Sequence, residues 1–236
     1  MKRRFTRAQG TAFAMVLAMS LAAGSVRAGG HFDVDDAGTL DTGQCQYEVW
    51  AGHVGGVSAQ RFQHVGPACR FGPIEWGLNL DRAATAGGTG VFVGPQLKWT
   101  FFGKAADAPL SAALSGGVVF DATDGRSGER AGGQFVVPVS WQATTAVMVH
   151  ANLGSDWAVG TGARTGRGGV AGEWALNPTL SLIAERNRAF AQWTTRAGLR
   201  VNVTPLISVD LSVARTGPEG AHSVVLGLNH AFDRMR

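Results

Sequence analysis

The chain has 236 residues, 45% of them hydrophobic, which is long enough for one large domain and too apolar for general disorder. Its formal charge of +4 is an N-terminal property. Lys2, Arg3, Arg4, Arg7 and Arg27 precede Gly29 with no acid among them, leaving 16 basic against 17 acidic side chains in the rest, so no nucleic-acid partner is expected.

Residues 1–28 read as a cleavable signal peptide: a basic start, an apolar run at 12–24, and the small-x-small site Val26-Arg27-Ala28. The run is shorter than the roughly 20 residues a spanning helix needs, and no later apolar stretch reaches that length. Residues 29–44 are polar and carry Asp33, Asp35, Asp36 and Asp41. They read as a solvated periplasmic leader. The aspartate spacing lacks the rest of a calcium loop, so neither metal nor cofactor is expected.

From 45 to 236 the pattern alternates with period two, the signature of strands with one apolar and one polar face. Cys45 and Cys69 are equidistant from the turn signal Gly55-Gly56-Val57-Ser58. A hairpin turning there puts them opposite each other, and export makes a disulfide the favoured reading over two separate buried thiols. Ile74, Trp76, Leu78 and Leu80 then alternate with Glu75, Gly77, Asn79 and Asp81, and later segments repeat the pattern as far as Val224, Leu226, Leu228, His230 and Phe232. Twelve strands are predicted, centred near Val49, Val65, Gly77, Gln96, Leu114, Pro138, His150, Glu173, Leu182, Gly198, Asp210 and Gly227. Tight turns such as Phe71-Gly72-Pro73 and Asn177-Pro178-Thr179 are expected on the periplasmic side, with longer outer loops at 81–90, 121–133, 154–169 and 215–222. Pro95 and Pro138 each remove a ladder donor, which predicts local bulges.

Alternation fits a soluble barrel, a β-sandwich or a membrane barrel. An antiparallel up-and-down transmembrane β-barrel is favoured because Trp76, Trp99, Trp141, Trp174 and Trp193 lie on the apolar faces, as interfacial girdles require. The opposite faces carry Glu75, Lys98, His150, Glu173, Glu185, Arg196, Arg200 and Asp210, which become pore-lining candidates. Glu173, Glu185, Arg196, Arg200 and Asp210 fall on four successive strands and can pair across one wall, either tuning permeation or bracing the interior.

Residues Phe32-Asp33-Val34-Asp35-Asp36-Ala37-Gly38-Thr39-Leu40 and Gly43-Gln44-Cys45-Gln46-Tyr47-Glu48 resemble the opening of the outer-membrane proteins named for the MetA pathway of phenol degradation. Arg196-Ala197-Gly198-Leu199-Arg200, Thr204-Pro205 and Ser208-Val209-Asp210-Leu211 are similar to that family's closing hairpins. The resemblance implies an outer-membrane channel or transport component, sometimes linked to aromatic compounds, and offers no catalytic residue to carry over.

The expectation is therefore a non-enzymatic channel for a small solute not identified by the sequence. Its other partners are outer-membrane lipids and the outer-membrane assembly machinery, which would recognise the last strand. A structural or adhesive barrel without transport is the alternative. A membrane-embedded hydrolase is a more distant one, because no His-x-Ser pair shares a strand face and no oriented nucleophile stands out.

Overall fold

The computed structural model describes residues 31–56, 59–103, 108–123 and 128–233. The expected signal peptide, Val57-Ser58 at the first turn, and residues 124–127 lie outside them. The strands are β1 (Gln44–Val54), β2 (Gln60–Phe71), β3 (Ile74–Thr85), β4 (Gly88–Phe102), β5 (Leu110–Asp121) and β6 (Glu129–Gln142), followed by β7 (Val147–Ala158), β8 (Ala163–Ala175), β9 (Leu180–Ala189), β10 (Gln192–Thr204), β11 (Ile207–Thr216) and β12 (Ala221–Asp233). Each pairs antiparallel with its chain neighbours, and β12 closes on β1. All twelve predicted centres fall inside these strands.

Closure follows from the residues on the two faces. Outward positions are apolar and exposed, as at Leu80, Leu153, Val170, Val213 and Leu226, with Leu153 72% exposed. Inward positions are polar and buried, and Asp210 is 0% exposed. A soluble barrel or a sandwich would show the reverse. Lipid offers no hydrogen bonds to backbone groups, so a spanning sheet has to close on itself. The architecture is a transmembrane barrel.

Two expectations about local geometry are corrected. The outer connections are shorter than predicted, because the strands extend into them: β3 reaches Thr85 and β4 starts at Gly88, while β7 ends at Ala158 and β8 starts at Ala163. Polar residues at the ends of these strands hid their pairing. Nor do the prolines carry bulges. Pro95 pairs with Leu78 on one side; on the other the ladder lapses between Val93–Phe120 and Gln96–Gly117, then resumes in the same register. Pro138 pairs with Asn152 and is skipped in the same way between Ala112–Val139 and Ser115–Val136. A one-residue shift would turn every later side chain to the other face and set charges against lipid; losing a donor locally costs less. Register shifts occur instead near strand ends, at Thr100/Phe102, Val119/Phe120 and Asn202/Thr204.

Cys45 and Cys69 are opposite partners on β1 and β2 and form a disulfide. The five predicted tryptophans are all exposed. Trp76, Trp99, Trp141 and Trp174 lie toward the end where the β2–β3, β6–β7 and β8–β9 turns are, while Trp193 begins β10 at the other end. Four of these five exposed rings thus lie at the end that also holds the start of β1 and the finish of β12.

Candidate functional site: a charged lumen and its internal segment

Residues 31–40 of the segment read from sequence as a solvated periplasmic leader lie inside the barrel. Phe32, Val34, Asp36, Ala37 and Leu40 are buried. The segment has no regular structure, so wall side chains satisfy its backbone groups. Near the β1 end, the Leu40 N–H donates to Glu75 Oε2 (2.7 Å), and Arg70 donates to the Leu40 carbonyl (2.7 Å). Further in, Thr100 Oγ1 donates to the Ala37 carbonyl (2.6 Å) and the Ala37 N–H donates to Ser140 Oγ (2.8 Å). Asn152, with its amide oriented to match its neighbours, takes up both the N–H and the carbonyl of Asp35. The N–H groups of Asp33 and Val34 converge on the two oxygens of Glu185 at 3.0 and 2.9 Å.

Charge reinforces this anchoring. Lys98 Nζ contacts Asp35 at 2.8 Å and Asp36 at 3.2 Å. Arg196 binds Glu185 through Nε at 2.9 Å, Asp33 through Nη2 at 3.0 Å and Ser212 through Nη1 at 3.2 Å. His31 Nε2 meets the same Ser212 hydroxyl at 2.7 Å. Glycines make room for the segment: a Cβ on Gly169 would lie 2.9 Å from Val34 Cγ2, and one on Gly227 would lie 2.8 Å from His31 Nδ1.

All eight candidates face the interior. Glu75 and Lys98 are opposite partners on β3 and β4. Arg196 stands opposite Glu185, and Arg200 opposite Asp210. Arg200 grips Asp210 with two bonds, at 2.7 and 3.0 Å, lies 3.8 Å from Glu173, and has the Phe32 ring 5.9 Å from its Cζ. His150 is fully buried, with Nδ1 2.8 Å from Ser140 Oγ. The ladder expected on four successive strands thus exists, and much of it holds the internal segment. Removing one partner of such a buried pair leaves an uncompensated charge, so the wall and the segment depend on each other.

Open space lies on the other side. A cavity of about 310 Å³ runs between the segment and the wall, lined chiefly by β1–β4 (Gln46, Glu48, Trp50, His64, Asn79 and Gln96 among others) and also by Gln134, Asn152 and Arg167 of β6–β8. It shares Phe32, Asp33 and Trp50 with a space of about 380 Å³ nearer the outer end. It shares Gln46 and Glu48 with one of about 260 Å³ at the opposite mouth. Trp50 stacks on His64 with ring centroids 4.3 Å apart, and Phe62 meets Trp50 edge-on at 5.6 Å. Sequence reasoning passed over these cavity residues, although Gln46, Glu48 and Trp50 share one parity on β1.

Solved structures share the fold at low sequence identity. The NanC porin is 11% identical, with 78% of this chain and 98% of that chain covered at a TM-score of 0.57. The KdgM porin is 7% identical, with 78% and 99% covered at 0.57, and its complex with disordered oligogalacturonate gives 8%, 78%, 99% and 0.58. No curated protein shows significant sequence similarity to the chain. The profile of one family spans residues 15–232, and the chain belongs to that family, described as Uncharacterised conserved protein UCP029691.

Proposed function

We propose that the protein is an outer-membrane channel for small polar solutes. The path follows the three overlapping spaces beside the internal segment, and that continuity is the observation that carries the reading. Barrels of about eight strands are filled by side chains and those of 16–18 hold an open aqueous channel. Twelve strands, partly filled by residues 31–41, leave a narrow passage. Its central part is lined by Asp33, Asp35, Glu48 and Glu75 against Lys98 and Arg167, which favours cations over anions. The termini-bearing end faces the periplasm, as short-turn ends of such barrels do.

The eight inward candidates divide between two tasks in this reading. Glu75 and Lys98 border the passage while also bonding to the segment, whereas Glu173, Glu185, Arg196, Arg200, His150 and Asp210 chiefly hold the segment and brace the wall. No reaction is assigned. Ser140 and His150 form the nearest nucleophile–base pair, but both are buried and the serine already accepts from Ala37.

A more specific reading is an aromatic solute, as the resemblance to the phenol-pathway proteins implies. The Trp50–His64 stack and Phe62 favour it, because this aromatic cluster lines the passage. Single-channel recording of the refolded protein in a planar bilayer is the test, with heat-modifiable gel migration reporting folding. Reproducible steps with a cation-selective reversal potential are expected. Folded, inserted protein that stays silent would end the channel reading and leave the structural barrel.

A further inference from the structure

The outside of the barrel is not the same at its two ends. Near the termini its exposed edge is aromatic. At the opposite end, Arg61 on β2, Arg82 on β3, Arg186 on β9 and Arg215 on β11 are exposed. Each shares the outward parity of the apolar wall: Arg61 with Val65, Arg82 with Leu80, Arg186 with Leu182 and Arg215 with Val213. Cross-strand register links them. Thr195 stands opposite both Arg186 and Arg215, Arg215 opposite His222, and His53 opposite Arg61. The result is a cationic arc running from β9 through β12 and β1 to β3.

No carboxylate balances the arc on its own surface. Among the described residues, every acid on β1–β4 and β7–β12 has inward parity, and the connecting turns at this end of these strands contribute only Glu219. None of the four arginines makes an ion pair among the described residues. Arg186 is held over the Trp193 ring, 4.8 Å from its centroid, and donates to Thr195 Oγ1 at 2.8 Å. Below Arg186 and Arg215 lies an open groove of about 570 Å³ whose sides include Trp193, Thr195, Ala197 and Val213. Its upper part is cationic and its lower part apolar, continuous with the lipid-facing wall.

We propose that this groove and arc bind a membrane lipid with a phosphorylated headgroup, resting on the reading of the chain as an outer-membrane barrel. Guanidinium groups pair with phosphate oxygens through two parallel N–H bonds. The arginine stems lie along the apolar wall while their heads reach the headgroup level. The small side chain of Ala197 leaves space for an acyl chain beneath the phosphate. The ligand is a lipid rather than a free anion because the arginines project outward from a convex wall at the rim of its apolar band, where lipid headgroups lie. A leaflet rich in phosphorylated lipid on one side of the membrane accounts for unpaired outward arginines at the end away from Trp76, Trp99, Trp141 and Trp174.

Native mass spectrometry of the folded full-length protein in micelles tests this, with bis-phosphorylated lipid A, its dephosphorylated form and inorganic phosphate as probes. Phosphorylated lipid A is expected to be retained more than tenfold better than the dephosphorylated form, each arginine contributing about fivefold. Combined Arg186→Gln and Arg215→Gln should lower retention by about 25-fold, the product of two such contributions. Ala197→Phe fills the groove while keeping both charges, and should also weaken retention; it serves as the test should the double variant not fold. Equal retention of both lipid forms, unchanged retention in these variants, or displacement of the lipid by millimolar inorganic phosphate would each overturn the proposal. Conductance measured on the same preparation separates this outcome from failure of the channel reading, because the double variant leaves the lumen untouched.

Discussion

The two halves of the lumen wall have the same architecture and opposite contents. Strands β6–β11 present Ser140, Asn152, Glu185, Arg196 and Ser212 to residues 31–37, and each of these side chains bonds to the segment. Strands β1–β4 present Gln46, Glu48, Trp50, Asn79 and Gln96 to open space. Inward parity alone therefore does not make a residue pore-lining. The internal segment decides which inward residues meet solute and which meet protein.

The largest effect that would break this contrast is expected at Arg200. Arg200→Ala leaves Asp210 and Glu173 buried beside an emptied site and should cost about 3–5 kcal/mol, read as a lower temperature for the heat-modifiable gel shift. Wild-type behaviour would remove the structural role of that ladder. Next comes the segment itself. Deleting residues 31–40 should raise single-channel conductance severalfold in a barrel that still shows folded migration, and an unchanged conductance would mean that the segment does not limit the passage.

Gly169→Val sharpens the same point without shortening the chain. The added side chain collides with Val34 and should expose residues 31–36 to an Asp-directed protease that leaves them intact in the parent protein. Resistance equal to the parent's would show that the wall can accommodate the collision. On the open half the effects should be functional rather than structural. Glu48→Gln is expected to shift the reversal potential toward anions, and an unchanged reversal potential would show that Glu48 does not meet the permeating ion. Trp50→Ala should be the mildest, altering block by an aromatic solute without changing ionic conductance by more than about twofold, since a single stacking pair contributes about 1 kcal/mol.

Much of the fold was legible because period-two alternation is a local property. Ile74 to Asp81 announces both faces of β3 within eight residues, and the pairing of Cys45 with Cys69 follows from their symmetry about one turn. The same parity placed all eight charged candidates inside and the five tryptophans outside. The strand ends were harder to read, because the polar and glycine-rich stretches at 81–90 and 154–169 resemble loops until a neighbouring strand pairs with them. The arginine arc was invisible for a related reason: Arg186 and Arg61 are far apart in the chain and become neighbours on one rim only after β12 closes on β1.

By itself the sequence determined a twelve-strand alternation, an apolar outer face and a charged inner one. These depend on residue types at fixed short spacing, which the pleat of a strand converts directly into faces. Only the tertiary structure decided that residues 31–41 lie inside. A short acidic segment without periodicity looks solvated, and the groups that make its burial possible, Glu185, Arg196 and Ser212, lie more than 140 residues away. Burying charge is costly unless partners are in place, and only the closed barrel brings those partners together.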